Sequence, residues 1–194
     1  MASNVIESEV VLFLLIDKPS IMMLQARAHS AAYIVQARTR SLTDSGQEIT
    51  NRVRMTRKGN QNAEYSACTK YLLPGNDMTQ GQCVEIEHPV SKEQFDAAVK
   101  FMGTISIKFR HRLPVQGVVL EIDHMVGRNA QQGGELIKVD IEGGSKEDIP
   151  TYLAKLAQHG IRVVRNLTAE GIKEGKNIGG KLMGGPEYNH AITA

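Results

Sequence analysis

Residues 105–112 read Ile-Ser-Ile-Lys-Phe-Arg-His-Arg, and this alternation is the most informative stretch of the chain. Successive side chains of a β-strand point to opposite faces, so residues i and i+2 share a face. Lys108, Arg110 and Arg112 would therefore line one face, and Ile107 and Phe109 the other. The stretch predicts a strand with one strongly cationic face and one apolar face.

The same spacing of charged residues recurs on nearly every other predicted strand. Like-charged residues that would share a face are Glu7 and Glu9; Arg38 and Arg40; Arg52 and Arg54; Glu85 and Glu87; and Glu121 and Asp123, and Lys138, Asp140 and Glu142 form a mixed set. Within most of these sets the charges have one sign, and sets on different strands carry opposite signs. The opposite faces are apolar, as in Val84 and Ile86. The pattern predicts a sheet with one apolar face and one charged face.

The order of elements predicts an α+β fold that is mainly antiparallel β. About eight or nine strands are separated mostly by short Gly-, Asn- and Asp-rich turns, which favour antiparallel neighbours. Helices are expected over about residues 20–29, 91–102 and 145–159. Ser91 and Gln94 have the spacing of a capping box, and Ser145 is expected to cap the third helix. Eight strands can close into a barrel just wide enough for a small ligand.

Composition narrows the classes of partner. The chain has 194 residues and a net charge of +2, so no overall basic field favours nucleic acid. The longest apolar run, residues 10–16, is too short to span a membrane and follows acidic residues, unlike a secretory signal. The chain has two cysteines, Cys68 and Cys83, and so few in a chain of this length indicate reduced thiols and not a disulfide framework. We expect a cytoplasmic protein, monomeric or homodimeric, that binds neither nucleic acid nor membrane.

Two interpretations of the charged face remain open at this point. In the first, it is a solvated face of an antiparallel sheet. In the second, it holds a ligand of mixed sign, because like charges on one face repel and add nothing to folding by themselves. Carboxylates suit Mg²⁺ or Mn²⁺, and clustered Arg and Lys suit the phosphates of a triphosphate.

Seven motifs in order resemble the CYTH superfamily, the triphosphate tunnel metalloenzymes. They are Ile6-Glu7-Ser8-Glu9, Arg52-Val53-Arg54, Cys68-Thr69-Lys70, Val84-Glu85-Ile86-Glu87, Lys108-Phe109-Arg110, Glu121-Ile122-Asp123 and Val139-Asp140-Ile141-Glu142. The family includes class IV adenylyl cyclases, thiamine triphosphatases and inorganic triphosphatases. The resemblance implies a closed, eight-stranded antiparallel tunnel with a charged lumen and a few flanking helices.

The resemblance also implies roles for individual residues. Metal ligands would be Glu7, Glu9 and Glu142, with Asp140 beside them, holding Mg²⁺ or Mn²⁺. Phosphates would be held by Arg52, Arg54, Lys70, Lys108 and Arg110, the residues expected to be catalytic. The remaining tunnel residues expected to bind substrate or orient these cations are Arg38, Arg40, Arg112, Lys138, Glu85, Glu87 and Asp123.

Two positions depart from the family pattern. The opening motif of the family is Glu-x-Glu-x-Lys, and the lysine position is Val11 in this chain. Its role is expected to be missing or to fall to Arg38 or Arg40. The usual Thr-x-Lys is also altered, because Cys68 stands two residues before Lys70.

Three ligand-based functions follow, beside a structural β protein with an exposed charged face. The first is metal-dependent hydrolysis of an inorganic or organic triphosphate. The second is cyclisation of ATP to cyclic AMP, and the third is binding of a nucleotide or polyphosphate without chemistry. Residues 1–167 are expected to form the tunnel domain, and residues 168–194 a Gly-rich tail or lid. Within that tail, Gly175 to Lys181 has P-loop spacing but lacks the following Ser or Thr, since residue 182 is Leu.

Overall fold

The computed structural model describes residues 3–27, 30–44, 46–73, 80–102, 104–115, 117–130 and 134–173. Within these stretches, the side chains of residues 3–8, 80, 104, 126–130 and 134 lie outside the description. The P-loop-like segment of the tail lies outside the described residues.

Nine strands and four helices occupy the described residues. The strands are β1 Ser3–Ile16, β2 Ala32–Leu42, β3 Glu48–Lys58, β4 Glu64–Leu72, β5 Gln80–Pro89, β6 Thr104–Val115, β7 Val118–Ala130, β8 Gly134–Glu142 and β9 Val163–Asn166. The helices are α1 Lys18–Ala26, α2 Lys92–Phe101, α3 Ile149–Gln158 and α4 Leu167–Lys173. None of these helices is long and apolar enough to cross a bilayer.

The sheet closes on itself. Its order is β5-β4-β3-β2-β6-β7-β8-β1-β9, every neighbouring pair is antiparallel, and β1 also pairs with β5. The first half of β1 pairs with β5 and the second half with β8, so the ring of eight strands is uneven. The predicted antiparallel, tunnel-like α+β fold is confirmed.

Local sequence explains the ends of the helices. The side chain of Asp17 accepts a hydrogen bond from the backbone of Ser20 and caps α1. Ser91 and Gln94 form the predicted capping box of α2. Ser145 caps a short 3₁₀ turn, Lys146–Asp148, and α3 begins only after it. The predicted helix over 145–159 is therefore a 3₁₀ turn followed by an α-helix.

The apolar core lies outside the ring, between the sheet and the helices. On β1, Val10, Leu12, Leu14 and Ile16 are fully buried in one cluster with residues of α1 and α3. A second cluster places Phe95 of α2 against the outer faces of β2 and β3. Because one face of each strand is covered in this way, the alternate residues, including Glu9, Arg54 and Asp123, face the lumen.

One end of the lumen is apolar. Phe13 and Leu15 of β1, Met125 of β7 and Leu136 of β8 form a separate buried cluster, with Val11 and Leu167 packed against it. The backbone N–H of Phe13 donates a hydrogen bond of 2.8 Å to Thr168 Oγ1 of α4. Residues 168–173, expected to be part of the Gly-rich tail, therefore form most of a helix that packs on β1. The domain boundary at residue 167 stays a prediction.

Replacing Leu156 by Ala tests the outer core. Leu156 is fully buried between α3 and the sheet, so Leu156→Ala should lower the free energy of unfolding by about 2–5 kcal/mol. Leu42→Ala is the matched control, because Leu42 is 70% exposed, and its effect should stay within about 0.5 kcal/mol. Urea unfolding of both variants measures the difference. Equal effects would contradict this placement of the core.

Candidate functional site

The centre of the lumen is a network of ion pairs on β6, β7 and β8. The buried carboxylate of Asp123 contacts the ammonium of Lys108 and accepts hydrogen bonds of 2.6 and 2.8 Å from Arg110. Arg110 also contacts Glu121 and donates a 3.2 Å hydrogen bond to Asp140. Lys138 donates a 2.6 Å hydrogen bond to the same carboxylate of Asp140. Three cations are thus interleaved with three carboxylates.

Burial and neighbouring charges shift the pKa values in this network. Burial opposes ionisation of Asp123, but Lys108 and Arg110 outweigh it and hold the pKa of this carboxyl well below its usual range. Burial likewise opposes the charge of Arg110, but the hydrogen bonds and charge of Asp123 raise its pKa. For Lys108, burial prevails and lowers the pKa to about 7, although Asp123 opposes the shift.

A second group of ion pairs lies on β3, β4 and β5. Glu85 accepts a 2.7 Å hydrogen bond from Arg52 and lies 2.6 Å from the ammonium of Lys70. Burial opposes the charge of Lys70, but Glu9 and Glu85 raise its pKa. The pairing of β1 with β5 closes the ring and thus brings Glu9 of β1 near Lys70 of β4.

Arg54 is the cation of this group with the weakest pairing. Its guanidinium is 4.0 Å from Glu87, while Ser66 donates a 2.6 Å hydrogen bond to that carboxylate. Arg54 Nε is buried and has no hydrogen-bond partner among the described residues. Burial, together with the charges of Arg52 and Arg110, lowers the pKa of Arg54. A half-buried cation that is repelled by two others favours an additional anion.

Arg54 also lines a cavity of about 890 Å³ at one mouth of the lumen. Arg110, Arg112 and Glu87 share this wall. Arg112 pairs with Glu121 but leaves 67% of its side chain exposed, so it lies at the entrance. Among the described residues, Lys70, Lys108 and Lys138 do not line the cavity. The outer cations are therefore the ones that a ligand meets first.

The carboxylates expected to bind metal differ in their surroundings. Glu9 and Glu142 are directly opposite each other on β1 and β8, on the lumen face. Burial and the charge of Glu121 raise the pKa of Glu142. Asp140 is engaged by Lys138 and Arg110, as described above, and the side chain of Glu7 lies outside the described residues. Among the described side chains, no three His, Cys, Asp or Glu form a metal-binding group.

Three further residues were placed in or near the site by sequence reasoning. Arg38 lies on the lumen face, opposite Arg52 of β3 and residue 104 of β6. Arg40 is at the exposed end of β2 and lies 3.4 Å from Glu48. Val11 belongs to the apolar end of the lumen. Neither Arg38 nor Arg40 lies next to Val11 in the strand order, since β2 and β1 are not neighbours.

Sequence reasoning missed the roles of Glu121 and Ser66. Glu121 is buried and holds both Arg110 and Arg112, and its i, i+2 spacing to Asp123 was the signal for it. Ser66 is the hydroxyl bound to Glu87. Cys68 lies buried beside Glu85, and burial raises the pKa of its thiol to about 12, so it stays protonated.

Comparison with known proteins adds two structural similarities. Neither a family model nor a curated protein sequence matches this chain. A proposed adenylyl cyclase from Hippeastrum with a dominant triphosphatase activity is 15% identical, over 88% of this chain and 96% of its own, with a TM-score of 0.46. A hypothetical protein is 16% identical, over 77% of this chain and 81% of its own, with a TM-score of 0.34. At this level of similarity neither structure carries a conclusion about this chain, and membership of the CYTH superfamily stays a prediction.

Lys108→Met tests the electrostatics of the lumen. Between pH 7 and about 10.4 the unfolded chain keeps the Lys108 proton that the folded protein has lost, so the stability of the wild type should rise with pH. Relative to Lys108→Met, the gain should reach up to about 1.4 kcal/mol per pH unit. Denaturant unfolding at pH 7 and pH 9 measures it. Lys58→Met, at the exposed end of β3, serves as control, and a wild-type advantage that falls with pH would contradict the assignment.

Proposed function

We propose that the lumen binds a triphosphate together with a divalent metal ion and hydrolyses it. The observation that carries this proposal is the state of Arg54, which lies on the wall of a cavity with its side chain 18% exposed and its guanidinium 4.0 Å from Glu87. Its buried Nε has no hydrogen-bond partner among the described residues, and Arg52 and Arg110 place like charge near it. A phosphate beside it would supply the missing hydrogen bond and the missing negative charge.

The arrangement of cations suits a chain of phosphates rather than one phosphate. Arg112 lies at the entrance, Arg54 and Arg110 line the cavity, and Lys108 and Lys138 lie deeper. The deeper cations are paired with the buried carboxylates of Asp123 and Asp140, and breaking these pairs would leave buried charges uncompensated. Phosphates would therefore contact the outer cations, Arg54 and Arg112, and approach the deeper ones without displacing their carboxylates.

Glu9 and Glu142 fit a divalent metal ion. Mg²⁺ commonly uses one or two carboxylates together with water and the phosphates of the substrate. The two residues are opposite each other on adjacent strands, and the raised pKa of Glu142 reflects burial and the nearby Glu121. Glu9 and Glu142 would hold the metal ion, which would supply positive charge to offset that of the phosphates.

The residues of the chain supply the remaining requirements of phosphoryl transfer. In the proposed reaction, water attacks the terminal phosphorus in line with the leaving oxygen, and Glu87, which lines the cavity beside Arg54, accepts the proton from that water. The bond to the bridging oxygen breaks with its electron pair on that oxygen. Arg54 and Arg110 then offset the charge on the leaving phosphate, since catalysis of this reaction is mostly positioning and electrostatics.

Binding without hydrolysis is the second candidate, and one observation favours it. Val11 stands where the CYTH pattern has a lysine, and it packs in the apolar cluster with Phe13 and Leu15. That position therefore offers no cation to the phosphates. Cyclisation of ATP uses the same phosphate contacts, and no described residue favours it over hydrolysis.

Arg54→Met tests the phosphate site. Wild-type protein should melt several degrees higher with tripolyphosphate and Mg²⁺ at a hundredfold excess over Kd, which corresponds to about 2.7 kcal/mol. Arg54→Met should lose most of this shift. Arg57→Met is the matched control, because Arg57 lies on the other face of the same strand, over the ring of Tyr33. No shift in wild type with either Mg²⁺ or Mn²⁺ would refute the proposed function.

The products formed in the same samples separate the three candidates. Release of inorganic phosphate that depends on Mg²⁺ or Mn²⁺ is the expected result for a triphosphatase. Cyclic AMP with pyrophosphate from ATP would identify a cyclase, and a thermal shift without any product would identify a binding protein. Glu142→Gln should raise the metal concentration needed for half-maximal activity, whereas the exposed Glu147→Gln should leave it unchanged.

A further inference from the structure

The apolar clusters described above cover only part of the outer faces of β3, β4 and β5. Helix α2 packs on residues such as Val53 of β3 and Tyr65 of β4. Farther along the same strands, two rows of residues alternate with the lumen-facing charges and therefore point outward. The rows are Ile49, Tyr71 and Val84, and beside them Asn51, Thr69 and Ile86. All six are partly exposed and belong to none of the three apolar clusters, and we call them the neutral face.

The neutral face has no charged side chain, although 23% of the residues of the chain are charged. An antiparallel sheet that turns one face to water normally places polar residues on it. Here the aliphatic side chains of Ile49, Val84 and Ile86 surround the ring of Tyr71 instead. Depletion of charge together with an aromatic residue distinguishes the core of a protein interface from the rest of a protein surface. The composition therefore indicates an interaction surface.

The absence of charge also limits the partner. Nucleic acids, acidic lipid surfaces and charged peptides are attracted by complementary charge, and the neutral face offers none. A second copy of this chain presents the same uncharged rows, and a two-fold axis can place the face against itself without repulsion. The amide of Asn51 and the hydroxyls of Thr69 and Tyr71 each donate and accept hydrogen bonds, so identical groups can pair across that axis.

We propose that two copies of the chain pack through their neutral faces, sheet against sheet. Strands about 4.8 Å apart and paired rows about 7 Å apart make a small contact, so the six side chains alone cover less than the roughly 800 Å² that a standard interface buries on each partner. The exposed Gln82 of β5 lies at its edge, and such polar neighbours would complete the rim. We expect a reversible dimer that dissociates at micromolar concentration.

The proposed dimer leaves the lumen accessible. None of the six residues lines the cavity beside Arg54, because they lie on the outer side of the ring. The inference is therefore independent of the proposed function, and either one can fail without the other.

Sedimentation velocity of the full chain, over a roughly hundredfold range of micromolar concentrations, tests the dimer directly. The sedimentation coefficient should rise from that of a monomer to that of a dimer. Hydroxyl-radical labelling of Tyr71 in the same samples should fall as the dimer forms. Tyr33 is the internal reference, because it lies on β2, away from the neutral face and below Arg57, and its labelling should not change.

Charged variants locate the contact. Val84→Lys and Thr69→Lys each place a like charge on both copies, so each should weaken the dimer by at least about tenfold. Ala97→Lys adds the same charge at an exposed position of α2 and should dimerise as wild type does. Thermal melting of the variants shows whether each keeps its fold. Where a variant does not fold, the labelling of Tyr71 in wild type decides the question.

Three results would overturn the proposal. A chain that stays monomeric at every concentration has no such interface, and a Tyr71 that is already protected in that monomer is covered from within the same chain. A dimer in which the labelling of Tyr71 does not fall uses another surface. The same conclusion follows if folded Val84→Lys and Thr69→Lys both dimerise as tightly as wild type.

Discussion

The buried carboxylate of Asp123, held between Lys108 and Arg110, is the interaction on which the lumen depends. It is fully inaccessible to water, so its charge is stable only because it is paired, above all through the two hydrogen bonds that Arg110 donates. Closing the sheet into a ring turns the charged faces of eight strands toward one another. Each charge must then find a partner on a neighbouring strand, and the interleaved sets on β6, β7 and β8 satisfy this requirement.

The same requirement explains why Arg54 differs from its neighbours. On β3 and β4, Arg52, Arg54 and Lys70 meet the two carboxylates of β5, and Glu85 takes two of the three cations. Glu87 is shared between Ser66 and a distant Arg54. The local excess of positive charge lies on the cavity wall, where an anion can reach it. The anion binding that we propose thus rests on the incomplete pairing of Arg54 in an otherwise paired part of the lumen.

The apolar surfaces divide the molecule in a complementary way. The outer faces of the strands pack against α1, α2 and α3, and this buried apolar surface stabilises the fold. A smaller apolar cluster fills the end of the lumen around Phe13 and Met125, where α4 is attached by the hydrogen bond to Thr168. Val11 belongs to this cluster, so its departure from the family pattern fits its local surroundings. The polar part of the lumen therefore faces the cavity. At the opposite end of the lumen, the described side chains are apolar.

The sequence by itself determined the strands, the charged face and the capping box of α2, because an alternation of period two and a Ser91-to-Gln94 spacing are local properties. It also indicated which cations and carboxylates share a face. Only the tertiary structure decided which charges influence each other, since the effect of Glu9 on the pKa of Lys70 depends on the closure between β1 and β5. It alone showed that Glu121 joins the network, that Arg40 turns to Glu48, and that α4 follows β9. Strand order and register are set by contacts between distant residues, and no local pattern specifies them.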